Sequence, residues 1–259
     1  MLVGNLPSTD GSGTCVAESG PNQNVGQGSL LIIDQNGNLV NQLTSPSLLN
    51  GPWDLAVRDD GRRAKVFVSN ALSGTVTRLD LRVVGDGDGD KKDSVIVEKE
   101  TQIASGYLHR CDPAAFVVGP TGLALDKERD VLYVSSTGDN AIFAIRDAGD
   151  RTSDAGMGKA IVTDQTHLHG PLGLVLARNG DLISTQGDAV NPDPNQPSEI
   201  VEFTKDGHFV RTFSIDSASG SAFALNDLFT KGFIQFSYVD DAEATLTIWR
   251  LSHRSFPNR

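Results

Sequence analysis

The chain has 259 residues and a formal net charge of −11, with 21% of its residues charged. A broadly acidic surface repels nucleic acid and anionic membrane, so neither is expected as a partner. No apolar run reaches the roughly 18 residues of a membrane-spanning helix. Met1 is followed by Leu-Val-Gly-Asn-Leu-Pro, without the basic start and long apolar stretch of a secretory signal, so localisation is left open. Two cysteines, Cys15 and Cys111, allow at most one internal disulfide and no cysteine-built zinc cluster.

Taken in chain order, short runs rich in Val, Ile and Leu alternate with turn sequences, which is strand behaviour. The first runs are MLVGNL (1–6), SLLIID (29–34) and LVNQL (39–43). A fuller unit follows: GPWDLAV (51–57), KVFVSN (65–70), TVTRLDL (75–81) and SVIVEKE (94–100). It returns as GPTGLAL (119–125), VLYVSS (131–136), AIFAIRD (141–147) and AIVTD (160–164). It returns again as GPLGLVL (170–176), DLISTQ (181–186), EIVEFT (199–204) and HFVRTFSI (208–215). The last runs are SAFALND (221–227), FIQFSYV (233–239) and TLTIWRL (245–251).

Four antiparallel strands per unit, at a spacing near 50 residues, predict an all-β propeller in a single domain. The blades fall at about 1–49, 50–104, 117–165, 169–216 and 217–252, with insertions near 84–94 and 104–118. Three blades are complete and the two terminal ones carry three strands. Unpaired sheet edges are a liability, so a fragment of a larger propeller, or closure by homo-oligomerisation, is expected. The alternative is a five-bladed ring with weak terminal strands. Trp53 and Trp249 lie inside strand patterns and are expected in the core.

Propeller topology sorts the loops. Connections between blades share one face with those joining strands two and three. That face receives residues 7–28, 104–118, 164–170 and 185–198, and with them His109, Asp112, His167, His169 and Asp188. Long loops on a rigid scaffold commonly carry function. Imidazoles suit zinc, which in catalytic sites keeps three protein ligands and one open position. His109, His167, His169 and Asp112 form the candidate metal shell. His167 and Asp188 are the candidate catalytic residues. His167 and His169, two apart in an extended segment, would point the same way. A metal-free version uses a histidine as general base. In the plainer reading these histidines only cap strands and bond loop carbonyls.

In the loop GDGDGDKKDSVIVE (85–98), Asp86, Asp88 and Asp90 alternate like the first ligands of a calcium loop. Lys91 then stands where glycine is needed, and Glu98 falls one place late. Any calcium there would be structural; a solvated turn is the simpler account. No nucleophile elbow, phosphate-binding loop or dinucleotide fingerprint occurs.

The Pro-x-Gly-Leu-Ala start, the Leu-Tyr-Val-Ser second strand and the Asn-x-Ile third strand resemble NHL-repeat propellers, most closely in GPTGLALDKERDVLYVSSTGDNAIFAI (119–145). The resemblance extends to the wider six-bladed group of gluconolactonase-like and paraoxonase-like hydrolases, strictosidine-synthase-like proteins and the peptidyl-amidoglycolate lyase. It implies a divalent metal, zinc first, in the central channel. Gluconolactonase-like enzymes place an acid before Gly-Pro and Asn or Asp after it. Here Asn50, Val118 and His169 precede, and Trp53, Thr121 and Leu172 follow, so that calcium site is not reproduced. In the lyase a zinc-binding His lies four residues before such a proline, as His167 does before Pro171. The function implied is a metal-dependent hydrolase of small-molecule activated esters, lactones or phosphotriesters, acting at the channel mouth. The alternative is a non-catalytic propeller that binds a protein, peptide or glycan on the same face.

Overall fold

Proline donates no backbone hydrogen bond, so it is tolerated at the first position of a strand. The Gly-Pro pairs at 51, 119 and 170 start such strands in the computed structural model, which describes residues 1–8, 15, 25–85, 94–112, 115–230 and 233–252. Five antiparallel sheets form the blades of a five-bladed β-propeller. Blade I holds β1 (Leu2–Asn5), β2 (Ser29–Ile33) and β3 (Leu39–Leu43). Blade II holds β4 (Pro52–Asp59), β5 (Arg63–Asn70), β6 (Thr75–Val84) and β7 (Ser94–Ser105). A small hairpin, β8 (Arg110–Asp112) and β9 (Phe116–Val118), interrupts the path to blade III. Blade III holds β10 (Pro120–Asp126), β11 (Val131–Ser136), β12 (Ala141–Arg146) and β13 (Lys159–Val162). Blade IV holds β14 (Pro171–Leu176), β15 (Leu182–Gln186), β16 (Glu199–Phe203) and β17 (Phe209–Ser214). Blade V holds β18 (Ala222–Phe229), β19 (Phe233–Asp240) and β20 (Thr245–Ser252).

The innermost strands lie side by side in the order β1, β4, β10, β14, β18. Apolar clusters fill the wedges between blades. Leu30, Val66 and Leu79 join blades I and II. Phe67, Leu132 and Phe143 join II and III. Ile142, Leu182 and Phe203 join III and IV. Each fully buried side chain of this size contributes roughly 1.5–3 kcal/mol of transfer free energy.

A polar device repeats beside the apolar one. The register slips near the start of β10, β14 and β18, as it does after Pro52 of β4. The slip turns a carbonyl toward the preceding blade, where a buried hydroxyl donates to it. Ser69 Oγ donates to Thr121 O (2.7 Å), Ser135 Oγ to Leu172 O (2.9 Å) and Thr185 Oγ1 to Phe223 O (3.2 Å). Gly122 permits the close approach: a Cβ there would stand 2.5 Å from Leu172 O and Leu174 N.

Expectations change for the insertion 104–118 and for Trp249, and the one disulfide that the sequence allows is present. The insertion 104–118 is not a plain loop, because it contains the β8–β9 hairpin. Cys15 and Cys111 form a disulfide, both sulfurs buried against Val25, Ala71 and Val117. Trp249 is not core. It lies on β20, the outer strand of blade V, half exposed, with its ring against Phe213, Phe236 and Tyr238. Trp53 is partly buried: it packs against the cluster of Cys15, Val25, Ala71, Cys111 and Val117 and also faces the channel. The candidate calcium ligands Asp86, Asp88 and Asp90 lie outside the described residues.

Candidate active site

Three homologous positions meet at the entrance of each complete blade: the residue before Gly-Pro, the last residue of the second strand, and the first residue of the third. In blade II these are Asn50, Asn70 and Thr75. Asn70 Oδ1 accepts from Asn50 N (3.1 Å), and its Nδ2 donates to Leu48 O, Thr75 Oγ1 and Thr77 Oγ1. Every group is neutral, and the amide uses both ends.

In blade IV the same positions hold His169, Gln186 and Glu199. His169 N donates to Gln186 Oε1 at 2.7 Å. The ring Nδ1 lies 2.5 Å from Asn191 O. A carbonyl only accepts, so Nδ1 carries a hydrogen and Nε2 is the nitrogen left to exchange a proton. Nε2 lies 3.6 Å from Glu199 Oε1. Gln186 Nε2, both Glu199 oxygens and Asp188 Oδ1 are buried without a protein hydrogen-bond partner. Burial pushes the Glu199 carboxyl up to about 8, and the charges of Asp188 and Asp193 add to the rise. At neutral pH Glu199 therefore holds its proton and faces the open His169 Nε2.

Asp188 links this cluster to open space. Its backbone N donates to His169 O, and its φ of 52° places it in the left-handed region, which Asp tolerates better than most residues. Its Oδ2 accepts from Ser198 N, Ser219 Oγ and Gly220 N at 3.1–3.2 Å. Its Oδ1 is buried without a protein donor, and the residue lines a cavity of about 440 Å³ at the channel mouth. Trp53, Phe116, Leu172, Phe223 and Asp241 also line that cavity. Deeper in the channel, Asp54 Oδ2 accepts from Leu123 N of blade III at 2.8 Å. Burial pushes the Asp54 carboxyl up to about 6, against the lowering effect of its bonds from Leu123 and Leu55.

The four residues expected as a metal shell do not meet. His109 is exposed, its Nδ1 3.0 Å from Tyr107 O, and it packs over the Gly74 turn. Asp112 pairs with Arg110 and accepts from Ala115 N. His167 and His169 diverge because the segment before β14 is a tight turn rather than extended chain: His167 N and Leu168 N both donate to Asp164 O. His167 then stacks on Phe209 at 3.7 Å and bonds Asp164 Oδ2 at 2.6 Å, outside the cavity. Among the described residues, no three His, Cys, Asp or Glu side chains are gathered at the spacing a metal ion needs. The donor set does not fit the metal that the resemblance implies. Of the residues expected in the site, His169 and Asp188 come together. Glu199 and Gln186 were not foreseen.

No protein-family model and no curated protein sequence matches the chain. Among solved structures, it is similar to a gluconolactonase from Xanthomonas campestris, with 16% identity and a TM-score of 0.51 over 87% of this chain. The chain spans 64% of that gluconolactonase. It is also similar to a structure from a nidogen–laminin complex (14% identity, TM-score 0.48, 92% of this chain and 69% of that one). A third similar structure is a luciferin-regenerating enzyme (12% identity, TM-score 0.45, 97% of this chain and 77% of that one). At these identities the likeness is one of fold: a propeller.

Proposed function

We propose that the channel mouth hydrolyses lactones or activated esters, with Asp188 as general base. One observation carries the reading. A buried carboxylate on the wall of a cavity large enough for a small molecule has one oxygen pinned by three donors and the other left without a protein donor. Pinning fixes the direction of the carboxylate, which is the positioning that general-base chemistry requires. Water beside Asp188 attacks the carbonyl carbon as its proton passes to the carboxylate. The ring or ester C–O bond then breaks, and the departing alkoxide takes that proton back. The His169–Glu199 pair lies behind Asp188. It supplies a neutral, protonated neighbour that keeps a second negative charge away from it.

A panel of aliphatic lactones and aryl esters tests the reading. Asp188→Asn is expected to lower kcat/KM at least about 100-fold, the usual scale for a lost general base, while melting temperature and circular dichroism stay close to wild type. Turnover that survives in the variant would sink the assignment. Dialysis against a chelator is expected to leave the rate unchanged. A loss that zinc restores would return the metal-dependent version. The second reading, a non-catalytic binding site, draws on the aromatic walls Trp53, Phe116 and Phe223. It is supported if ligands bind the cavity and none is turned over.

A further inference from the structure

The walls of the channel-mouth cavity have a chemistry of their own. Three aromatic side chains, Trp53, Phe116 and Phe223, face it together with the carboxylates Asp188 and Asp241. No Lys or Arg lines it among the described residues. Trp53 and Phe223 come from blades on different sides of the channel, with ring centroids 6.1 Å apart and planes tilted by 50°. Asp188 is 9% exposed, and its Oδ1 has no protein donor.

The sequence around the cavity extends this pattern. The described segments joining strands at this end of the propeller are 6–8, 25–28, 44–51, 71–74, 106–112, 115–119, 137–140, 163–170, 187–198, 215–221 and 241–244. They contain eight Asp or Glu residues and one Lys or Arg, Arg110. That arginine is paired with Asp112. Basic side chains lie instead in strands and in the turns of the opposite end, such as Arg62, Arg63, Lys127, Arg129 and Lys205. A concave site lined by one sign of charge and low-dielectric walls concentrates the opposite sign. An ammonium group over an aromatic face gains roughly 0.5–2 kcal/mol, more as it is desolvated. A phosphate or carboxylate would meet only like charge here.

We propose that this cavity selects an organic cation: a quaternary or tertiary ammonium group seated among Trp53, Phe116 and Phe223, with Asp188 and Asp241 as counter-charges. This deepens the hydrolase reading by naming a cationic ester or lactone as the substrate class. It rests on that reading for the bond broken, and on the cavity alone for the cation.

Choline and its neutral carbon isostere, 3,3-dimethylbutan-1-ol, share a shape and differ in charge. In a Trp249→Phe background Trp53 is the sole tryptophan, so its fluorescence reports occupancy of the cavity directly. After chelator dialysis, choline is expected to bind at least about tenfold more tightly than the isostere, the scale of one desolvated cation–π contact. Asp188→Asn and Asp241→Asn should each reduce that ratio. Equal binding of the two probes, or tighter binding of the anion trimethylacetate, overturns the proposal. Turnover of acetylcholine against 3,3-dimethylbutyl acetate is then compared. Choline preference with neither ester cleaved leaves the cation site standing and removes the hydrolase reading. Equal cleavage of both esters without choline preference does the reverse.

Discussion

Blades II and IV use the same backbone to different ends. At the entrance of blade II, Asn50, Asn70 and Thr75 close a neutral network in which each donor has an acceptor. At the entrance of blade IV, His169, Gln186 and Glu199 stand in the same places, and three of the side-chain atoms there have no protein partner. Buried polar groups are ordinarily satisfied, because leaving one unpaired costs about 1–3 kcal/mol. Blade II therefore shows what the position does for stability alone. Blade IV shows the same position with stability given up beside a cavity, which is the pattern of a working site.

The comparison is broken most strongly at Asn70. This side chain is fully buried and serves three acceptors and one donor. Asn70→Ala strands Asn50 N and leaves Leu48 O with Thr77 Oγ1 as its remaining side-chain donor, so a loss of roughly 2–4 kcal/mol is expected in denaturant unfolding. Hydrolysis per folded molecule should not change. If turnover falls while stability holds, blade II belongs to the site and the contrast between the blades fails.

A smaller effect is expected at the hydroxyl contacts between blades. Ser135 Oγ donates to Leu172 O and also lies 3.2 Å from Gly122 O, both within the buried channel wall. Ser135→Ala removes the donor from both carbonyls. A loss of about 1 kcal/mol is expected, measurable as a shift in urea midpoint at constant m-value. Ser69→Ala and Thr185→Ala should cost similar amounts, since the three are structural equivalents on β5, β11 and β15. A near-zero cost at all three would mean that the apolar wedges alone set blade spacing.

Most of this architecture was legible in the residues. The Gly-Pro starts at 51, 119 and 170, and the alternating runs after them, place the three complete blades strand by strand. Trp249 misled because a strand pattern does not say whether the strand has a neighbour. The β8–β9 hairpin was missed because its strands, Arg110–Asp112 and Phe116–Val118, are too short to show a period. The site was half legible. His169 and Asp188 stood out as departures from the repeat. His109, Asp112 and His167 were grouped with them because loops shared one face, yet a face is many ångströms wide and metal ligation needs a point. The tight turn at Asp164 then sent His167 outward. Glu199 was hidden inside EIVEFT, read only as a strand. The available signal was an acid at a position where the sister blades carry Thr75 and Ala141.

A change that keeps the shape of the side chain and removes its titration sharpens the contrast furthest. Glu199 has a folded pKa of about 8 against an ordinary value of 4.5. Between those values the folded chain keeps a proton that the unfolded chain has released. The stability from this group is therefore full below about 4.5 and is lost as pH rises through about 8. Glu199→Gln removes the titration and preserves the neutral shape, so below about pH 4.5 its melting temperature should match wild type. Between about 4.5 and 8 the wild type should fall progressively below the variant, because only its unfolded chain gains stability by releasing this proton. Asp54, raised from 3.8 to about 6 by the same burial, acts in a lower window, and Asp54→Asn should flatten the curve only there. If wild type and Glu199→Gln instead run in parallel to pH 9, the Glu199 carboxyl titrates alike in the folded and unfolded chain. Blade IV would then hold a buried carboxylate rather than a neutral acid, and Asp188 would face a net charge different from the one argued above.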